Sequence, residues 1–283
     1  MKKQSKAARV AVLVKLLLDA PLELVSLGAL AARLGVAKSS ISEDVSAIRQ
    51  GFEAQGLGKL ETVTGVAGGV RYVPYRTRQY ADDLVSSLCR RLKEPTRRVS
   101  PGYLYLDDIL HEPSFLAALG EVIAARFAAE GINAVVTVEA RGIPLAMAVA
   151  RYLNKQLVIA RRELVYTHGG VAVPATRQES FITDGPLLSV SYVSGSQRNM
   201  QSMSLPRRIL PEKARVLVVD DFLRAGGTLR ALTALLHEFQ ATVVGAVVLV
   251  ETARPLEKLT SGYLSVVRLD EVLGEFIIAP GNI

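Results

Sequence analysis

The residues best equipped for chemistry lie in one short run: Val216, Leu217, Val218, Val219, Asp220, Asp221, Phe222, Leu223, Arg224, Ala225, Gly226, Gly227 and Thr228. Four apolar, mostly β-branched residues predict a buried strand, which leaves the two acids at its carboxyl end. That end of a parallel strand is where open α/β sheets hold ligands. Gly226 and Gly227 let main-chain amides approach a phosphate closely, and a helix opening at Thr228 adds the positive end of its dipole. Adjacent carboxylates accept hydrogen bonds from a sugar diol. The spacing therefore predicts a cup for a ribose 5-phosphate, with Asp220 and Asp221 at the hydroxyls and the Phe222–Thr228 loop around the phosphate. Arg224 either pairs with phosphate or faces solvent.

A second strand-to-helix loop lies upstream, where Glu139, Ala140, Arg141 and Gly142 follow a run of apolar residues and precede IPLAMAVARYL. Such a turn is common by itself. Two in series, the second carrying paired acids, form a more specific pattern. Other folds open with a VLVVDD strand, but receiver domains continue for more than a hundred residues beyond it, and only 62 follow Asp221 here. A Walker-B strand needs a GxxxxGK[ST] loop, which the chain lacks. The bland alternative is a generic βα turn.

The elements that must position these loops form an α/β pattern. Apolar strands are predicted at 132–140, 156–162, 187–193, 215–221 and 242–251, with helices at 143–153 and 228–239. Continuous apolar strands alternating with helices mean a mainly parallel sheet covered on both faces. A polar stretch, 163–187, interrupts the pattern and reads as a long loop or a surface hairpin. Residues 76–131 hold packing helices with Pro95 and Pro101 between them, so the boundary of a first domain falls near residue 75.

That first domain has a different character. Residues 1–78 carry 12 Lys/Arg against 6 Asp/Glu, whereas 79–283 carry 22 against 21. Concentrated positive charge points to a polyanion such as DNA, or serves only solubility. Residues 7–19 have helical spacing, Ser26 can cap a short helix that Gly35 stops, and Ser39 and Ser40 offer caps to a third. Two short helices joined at a glycine make helix-turn-helix spacing, and LGKLETVTGVAGGVRYVPY predicts a hairpin with a Gly65–Gly69 tip. Three helices plus a hairpin describe a winged helix. Lys38, Ser39, Ser40 and Ser42 open its presumed recognition helix, where side chains meet base edges or phosphates. Glu43 and Asp44 face away from phosphate or accept from cytosine amino groups. Arg71 reaches DNA from the wing, or the wing is simply a solvated hairpin.

Composition excludes several classes. Hydrophobic residues make up 49% and charged residues 22%, which is globular composition. Cys89 is the only cysteine, so no internal disulfide is available and a reducing cytoplasm fits. No run of 18 apolar residues exists to span a membrane, and Lys15 and Asp19 interrupt the apolar start that would resemble a signal peptide.

The segment from Val216 to Thr228 resembles the signature of the type I phosphoribosyltransferase family: four apolar residues, two acids, then a small-residue loop ending in Gly-Gly-Thr. The resemblance implies that the Ala140–Arg141–Gly142 loop cradles the pyrophosphate of phosphoribosyl pyrophosphate (PRPP), with an unusual backbone conformation. It also implies that 163–187 is the active-site loop. Active members carry Thr or Ser where Ala225 stands, and no residue set here identifies a nucleobase acceptor, so transfer activity is not expected.

Taken with AKSSISEDVSAI, GVAGGVRYVP, GYLYLDDIL and SYVSGSQRNMQSMSL, the whole chain resembles the Gram-positive-type purine operon repressor family. That resemblance implies a winged-helix DNA-binding domain at 1–75 and a phosphoribosyltransferase-like effector and dimerisation domain at 76–283. It further implies a homodimer on double-stranded operator DNA with a palindromic site, and PRPP as inducer, with Mg2+ bridging the ligand's own oxygens. Tyr103 and Tyr105 match family positions near the ligand, with core packing expected for one of them. Whether DNA and PRPP compete directly or through conformation stays open. An active transferase with an accessory domain and an RNA-binding attenuator remain as rivals.

Overall fold

The structure, a computed structural model, describes residues 5–65, 68–100, 103–168, 171–174, 187–193 and 200–283. The chain opens with α1 (Lys6–Asp19), β1 (Val25–Ser26), α2 (Leu27–Leu34), α3 (Lys38–Gln55), β2 (Lys59–Val63) and β3 (Gly69–Val73). Ser26 accepts a hydrogen bond from the Ala29 amide and so caps α2, and Gly35 closes that helix in the left-handed region (φ 65°). The three strands form an antiparallel sheet in the order β1-β3-β2. Leu13, Leu17, Ile41, Val45, Ile48, Val70 and Tyr72 are buried together between helices and sheet. This is a winged helix.

One expectation for α3 is corrected and one alternative is decided. The helix starts at Lys38 with Ala37 as its N-cap and no side-chain cap, so Ser39 and Ser40 already lie inside the first turn and do not cap it. Of the two alternatives for Asp44, it faces away: it is buried and paired with Arg9 of α1, which fastens α3 to the first helix of the chain.

The second unit begins with α4 (Arg78–Leu92), a 3-10 turn at Pro95–Arg97, β4 (Arg98–Ser100), β5 (Tyr103–Leu104), α5 (Asp107–Leu110) and α6 (Pro113–Phe127). Then follow β6 (Ala134–Val138), α7 (Ile143–Leu153), β7 (Gln156–His168), β8 (Val171–Pro174), β9 (Leu187–Val193), β10 (Met200–Pro206) and β11 (Arg215–Leu223). The chain ends with α8 (Gly227–Glu238), β12 (Thr242–Thr252), β13 (Tyr263–Val272) and β14 (Glu275–Pro280). The sheet runs β14-β13-β12-β11-β6-β7-β10-β9, with β8 also on β7. The five strands from β13 to β7 pair in parallel, and β14, β10, β9 and β8 are antiparallel additions. This is the mainly parallel α/β fold expected.

Alternation along β11 divides the core. Leu217 and Val219 pack with Leu119, Ile123, Leu145 and Val149 of α6 and α7, while Val216 and Val218 pack with Leu232, Leu235 and Leu236 of α8. Each strand is thus covered on both faces, which is why the sequence runs apolar without alternating. The strand order reverses between β6 and β11, so the two loops leaving their carboxyl ends diverge to opposite faces and open a crevice between them. The polar stretch 163–187 is in part a hairpin, since β7 continues to His168 and pairs antiparallel with β8. The rest of it, 175–186, lies outside the described residues.

Candidate functional site

The crevice has a volume of about 720 Å³. Asp220 ends the run of consecutive buried residues from Val216 in β11, which itself continues to Leu223, and Asp221 follows it with its side chain 13% exposed. The Asp221 amide donates to Asp220 Oδ1 at 2.9 Å, which fixes the Asp220 carboxylate against the backbone of the next residue. Burial, and then the negative charge of Asp221, push the Asp220 carboxyl well above the usual carboxylate range, against the opposing pull of the Asp221 amide and, more weakly, of the Arg162 charge. A buried acid in that state holds its proton, and becomes a full acceptor for hydroxyl donors once a positive charge nearby favours its ionised form.

The second loop meets the first. Arg141 Nε lies 3.2 Å from Asp221 Oδ2, and Arg141 Nη2 lies 3.4 Å from Asp107 Oδ1 on α5. The Glu139–Ala140 peptide is cis. Gly142, with φ −71°, is required by space and not by φ: a Cβ there would stand 2.4 Å from Thr137 Oγ1 and 2.8 Å from Asp220 Oδ1. The absent side chain is what lets the start of α7 approach the paired acids. Glu139 is fixed from behind, its Oε1 accepting from the Arg162 amide at 2.7 Å.

Gly226 adopts φ 85° at the N-cap of α8, and Ala225, Gly226, Gly227 and Thr228 all line the crevice with Phe222 and Arg224. The first-turn amides of α8 have no partner within the helix and face this space. Besides Asp220, Asp221 and Arg141, the crevice is lined by Arg162, Arg224, Arg254, Asp270 and Glu271, and the starts of α7 and α8 open beside it, an arrangement suited to a ligand with hydroxyls between two phosphate groups. Among the described residues no three metal-ligating side chains converge.

Sequence reasoning placed Tyr103 at the ligand and expected core packing for one of Tyr103 and Tyr105. Tyr103 lines the crevice rim at 70% exposure, and Tyr105 is 45% exposed, so neither is core. The reason is local: β5 is a two-residue strand paired only with β4 on the surface, and no layer covers it. Several lining residues were missed. Thr252 is the last residue of β12, one past the strand end expected at 251, a position that end could have signalled. Arg254, Asp270 and Phe276 arrive from the β12–β14 end of the sheet and had no local signal.

On the winged helix, Lys38, Ser39 and Ser42 are exposed and Ser40 is half-buried, all at the first turns of α3. Arg71 stands within β3 opposite Glu61, to which it donates at 2.6 and 2.9 Å, so it is tied to the neighbouring strand. Arg49, which the sequence did not single out, donates to the Leu60 carbonyl at 2.9 Å and to Thr62, bracing α3 against the wing.

Residues 5–74 match the family described as bacterial purine repressor, N-terminal, and residues 106–279 match the phosphoribosyl transferase domain. The purine biosynthesis transcriptional repressor PurR of Bacillus subtilis (strain 168) is 41% identical over 267 residues, covering 94% of this chain and 88% of that protein. The chain belongs to the bacterial purine repressor family. A further relative, the purine biosynthesis transcriptional activator PurR of Lactococcus lactis subsp. lactis, is 35% identical over 90% of this chain and 89% of its own. Among solved structures, the adenine phosphoribosyltransferase of Thermoanaerobacter pseudethanolicus superposes with a TM-score of 0.51 at 18% identity, covering 65% of this chain and 99% of that one. That likeness is one of fold: the second unit has the phosphoribosyltransferase-type α/β architecture.

Proposed function

We propose that the protein is a DNA-binding transcriptional regulator that represses purine synthesis and transport genes and releases its operator when PRPP fills the crevice. The observation that carries the effector half is the meeting of Asp220, Asp221, Arg141 and Gly142 where the strand order reverses. Asp220 and Asp221 accept from the ribose hydroxyls, the Phe222–Thr228 loop takes the 5′-phosphate, and Ala140–Gly142 takes the pyrophosphate. Mg2+ brought by the ligand would supply charge neutralisation beside Asp220 and Asp221. The two acids suit such a group because they lie beside the ligand without a third protein ligand to form a cage.

The DNA half rests on the winged helix, its excess of positive charge and the exposed start of α3. Two copies would present two recognition helices to a palindromic site in the cytoplasm. The names of the relatives include both a repressor and an activator. Repression is the simpler outcome for a regulator whose ligand weakens DNA binding. Ala225 offers no phosphate-directed hydroxyl, which favours sensing over transfer. A base-transfer assay with purine and pyrimidine bases would expose the enzymatic alternative, and the winged helix argues against an RNA attenuator. The deciding experiment is a gel shift on a purine promoter with and without PRPP, using the wild type and Asp221→Ala. Operator release by the wild type, and none by the variant, is expected. Indifference of the wild type to the ligand would refute the sensor.

A further inference from the structure

The loop assigned above to the 5′-phosphate does not hold its own shape. Behind it runs the segment Thr252–Thr260, which continues from the end of β12 and grips it at consecutive residues. Lys258 Nζ donates to the Arg224 carbonyl and to the Thr252 carbonyl at 2.7 Å, with Thr252 Oγ1 at 3.4 Å as a third acceptor. The Leu259 amide donates to the Ala225 carbonyl at 2.8 Å. Thr260 covers Gly226 so closely that a Cβ on the glycine would come within 2.7 Å of the threonine methyl.

The direction of these bonds matters more than their number. The peptides of this loop are trans, the only cis bonds among the described residues being Glu139–Ala140 and Arg254–Pro255. In a planar trans peptide the carbonyl and the following N–H point opposite ways. Anchoring the Arg224 and Ala225 carbonyls on Lys258 and Leu259 therefore turns the Ala225 and Gly226 amides to the other side, and both residues line the crevice. A cation on a carbonyl also polarises its peptide, which strengthens the N–H of Ala225 as a donor. Burial lowers the Lys258 pKa and the Glu251 carboxylate opposes that, but among the described residues its hydrogen bonds go to the Arg224 and Thr252 oxygens and not to a carboxylate.

We propose that Lys258 is a positioning residue for the phosphate end of the ligand: it orients the loop amides without touching the ligand, doing through the backbone part of what the hydroxyl missing at Ala225 would do directly. The inference rests on the reading of the crevice as a sugar-phosphate site, and the experiment separates the two. Calorimetric titration of the full chain with Mg2+ uses three probes: PRPP, ribose 5-phosphate, and inorganic pyrophosphate, which has no 5′-phosphate and belongs to the Ala140–Gly142 loop. Lys258→Met keeps the stem and removes the donors. It should weaken PRPP and ribose 5-phosphate each by about tenfold, the weight of one hydrogen bond to a charged group, while pyrophosphate changes by less than about twofold. Lys258→Arg, which keeps donors and charge, should recover most of the loss, and Lys258→Gln replaces the methionine variant should that one fail to fold. Equal losses for all three probes would mark a general loss of structure, and unchanged ribose 5-phosphate affinity would mark no role at all; either result overturns the assignment. Should the wild type bind none of the three, the sugar-phosphate reading itself falls, and the role of Lys258 with it.

Discussion

The Tyr72 hydroxyl, on the last strand of the winged helix, donates to Glu121 Oε1 on α6 at 2.7 Å, while Arg76 between the two units donates to Glu121 Oε2 at the same distance. Glu121 is 2% exposed, and both of its oxygens are occupied by groups from the DNA-binding side. Burial and the adjacent carboxylate push the Tyr72 hydroxyl far above its ordinary range, so it remains a donor at any pH the protein meets. The two units are thus joined by one buried acid. Arg151, near the end of α7, adds a bond to the Leu18 carbonyl at 3.0 Å.

Removing the acid should cost more than removing its neutral partner. Glu121→Ala leaves the Arg76 guanidinium partly buried without a counter-charge and is expected to destabilise the chain by about 3 kcal/mol. Tyr72→Phe forfeits one hydrogen bond to a buried carboxylate that keeps its Arg76 partner, and should cost about 2 kcal/mol. Urea unfolding with equal slopes for both variants checks the ranking. A phenylalanine variant as damaged as the alanine one would show that packing, not charge pairing, joins the units.

Gly142 is predicted to tolerate no side chain. A methyl group would sit 2.8 Å from Asp220 Oδ1 and 2.4 Å from Thr137 Oγ1, so one loop must retreat from the other. Gly142→Ala should therefore lower PRPP affinity by at least about tenfold, a displacement worth one charged hydrogen bond. Operator binding without ligand should persist, because the winged helix is untouched. Gel shifts at increasing ligand concentration measure both. A variant that releases DNA at wild-type ligand levels would mean that the two loops do not share a ligand.

The DNA face yields a ranking that sequence alone would not give. Lys38 opens α3 in the open, whereas Arg71 already gives two hydrogen bonds to Glu61. Lys38→Ala should weaken operator binding and reduce the slope of log affinity against log salt by about 1, the signature of one lost phosphate contact. Arg71→Ala should change the slope less. The reverse order would place the wing, not the helix start, on the phosphates.

How much of this was legible follows from where the information lies. β11 and the start of α8 could be read directly because burial on both faces makes the strand uniformly apolar, and the acids and glycines that follow have few other uses. β10 could not: it buries Gln201 and Ser204 beside Met203 and Leu205, so no apolar pattern marks it. The alternatives for Asp44 stayed open in the sequence because its partner, Arg9, is 35 positions away, beyond any helical spacing. Arg254, Asp270 and Phe276 reach the crevice only because β12, β13 and β14 lie side by side, which is a property of strand order and not of local sequence.

The paired acids also predict a pH dependence whose sign can be worked out. In the ligand-free protein the Asp220 carboxyl is raised above the ordinary range, first by burial and then by Asp221. A raised group holds its proton more tightly folded than unfolded. Its contribution to stability is thus complete below the unfolded value, about 3.9, and fades as pH climbs through the raised folded value. Ligand binding should run the other way. Ribose hydroxyls and Mg2+ favour the ionised carboxylate, so binding expels the Asp220 proton and PRPP affinity should rise as pH climbs through that same raised value. Calorimetry in buffers of differing ionisation enthalpy reads the released proton. Asp220→Asn has none to release and should show a flatter profile, with the ligand's own phosphate titration common to both proteins. Identical profiles for the two would mean that Asp220 does not titrate on binding, and the acceptor role assigned to it would pass to Asp221 alone.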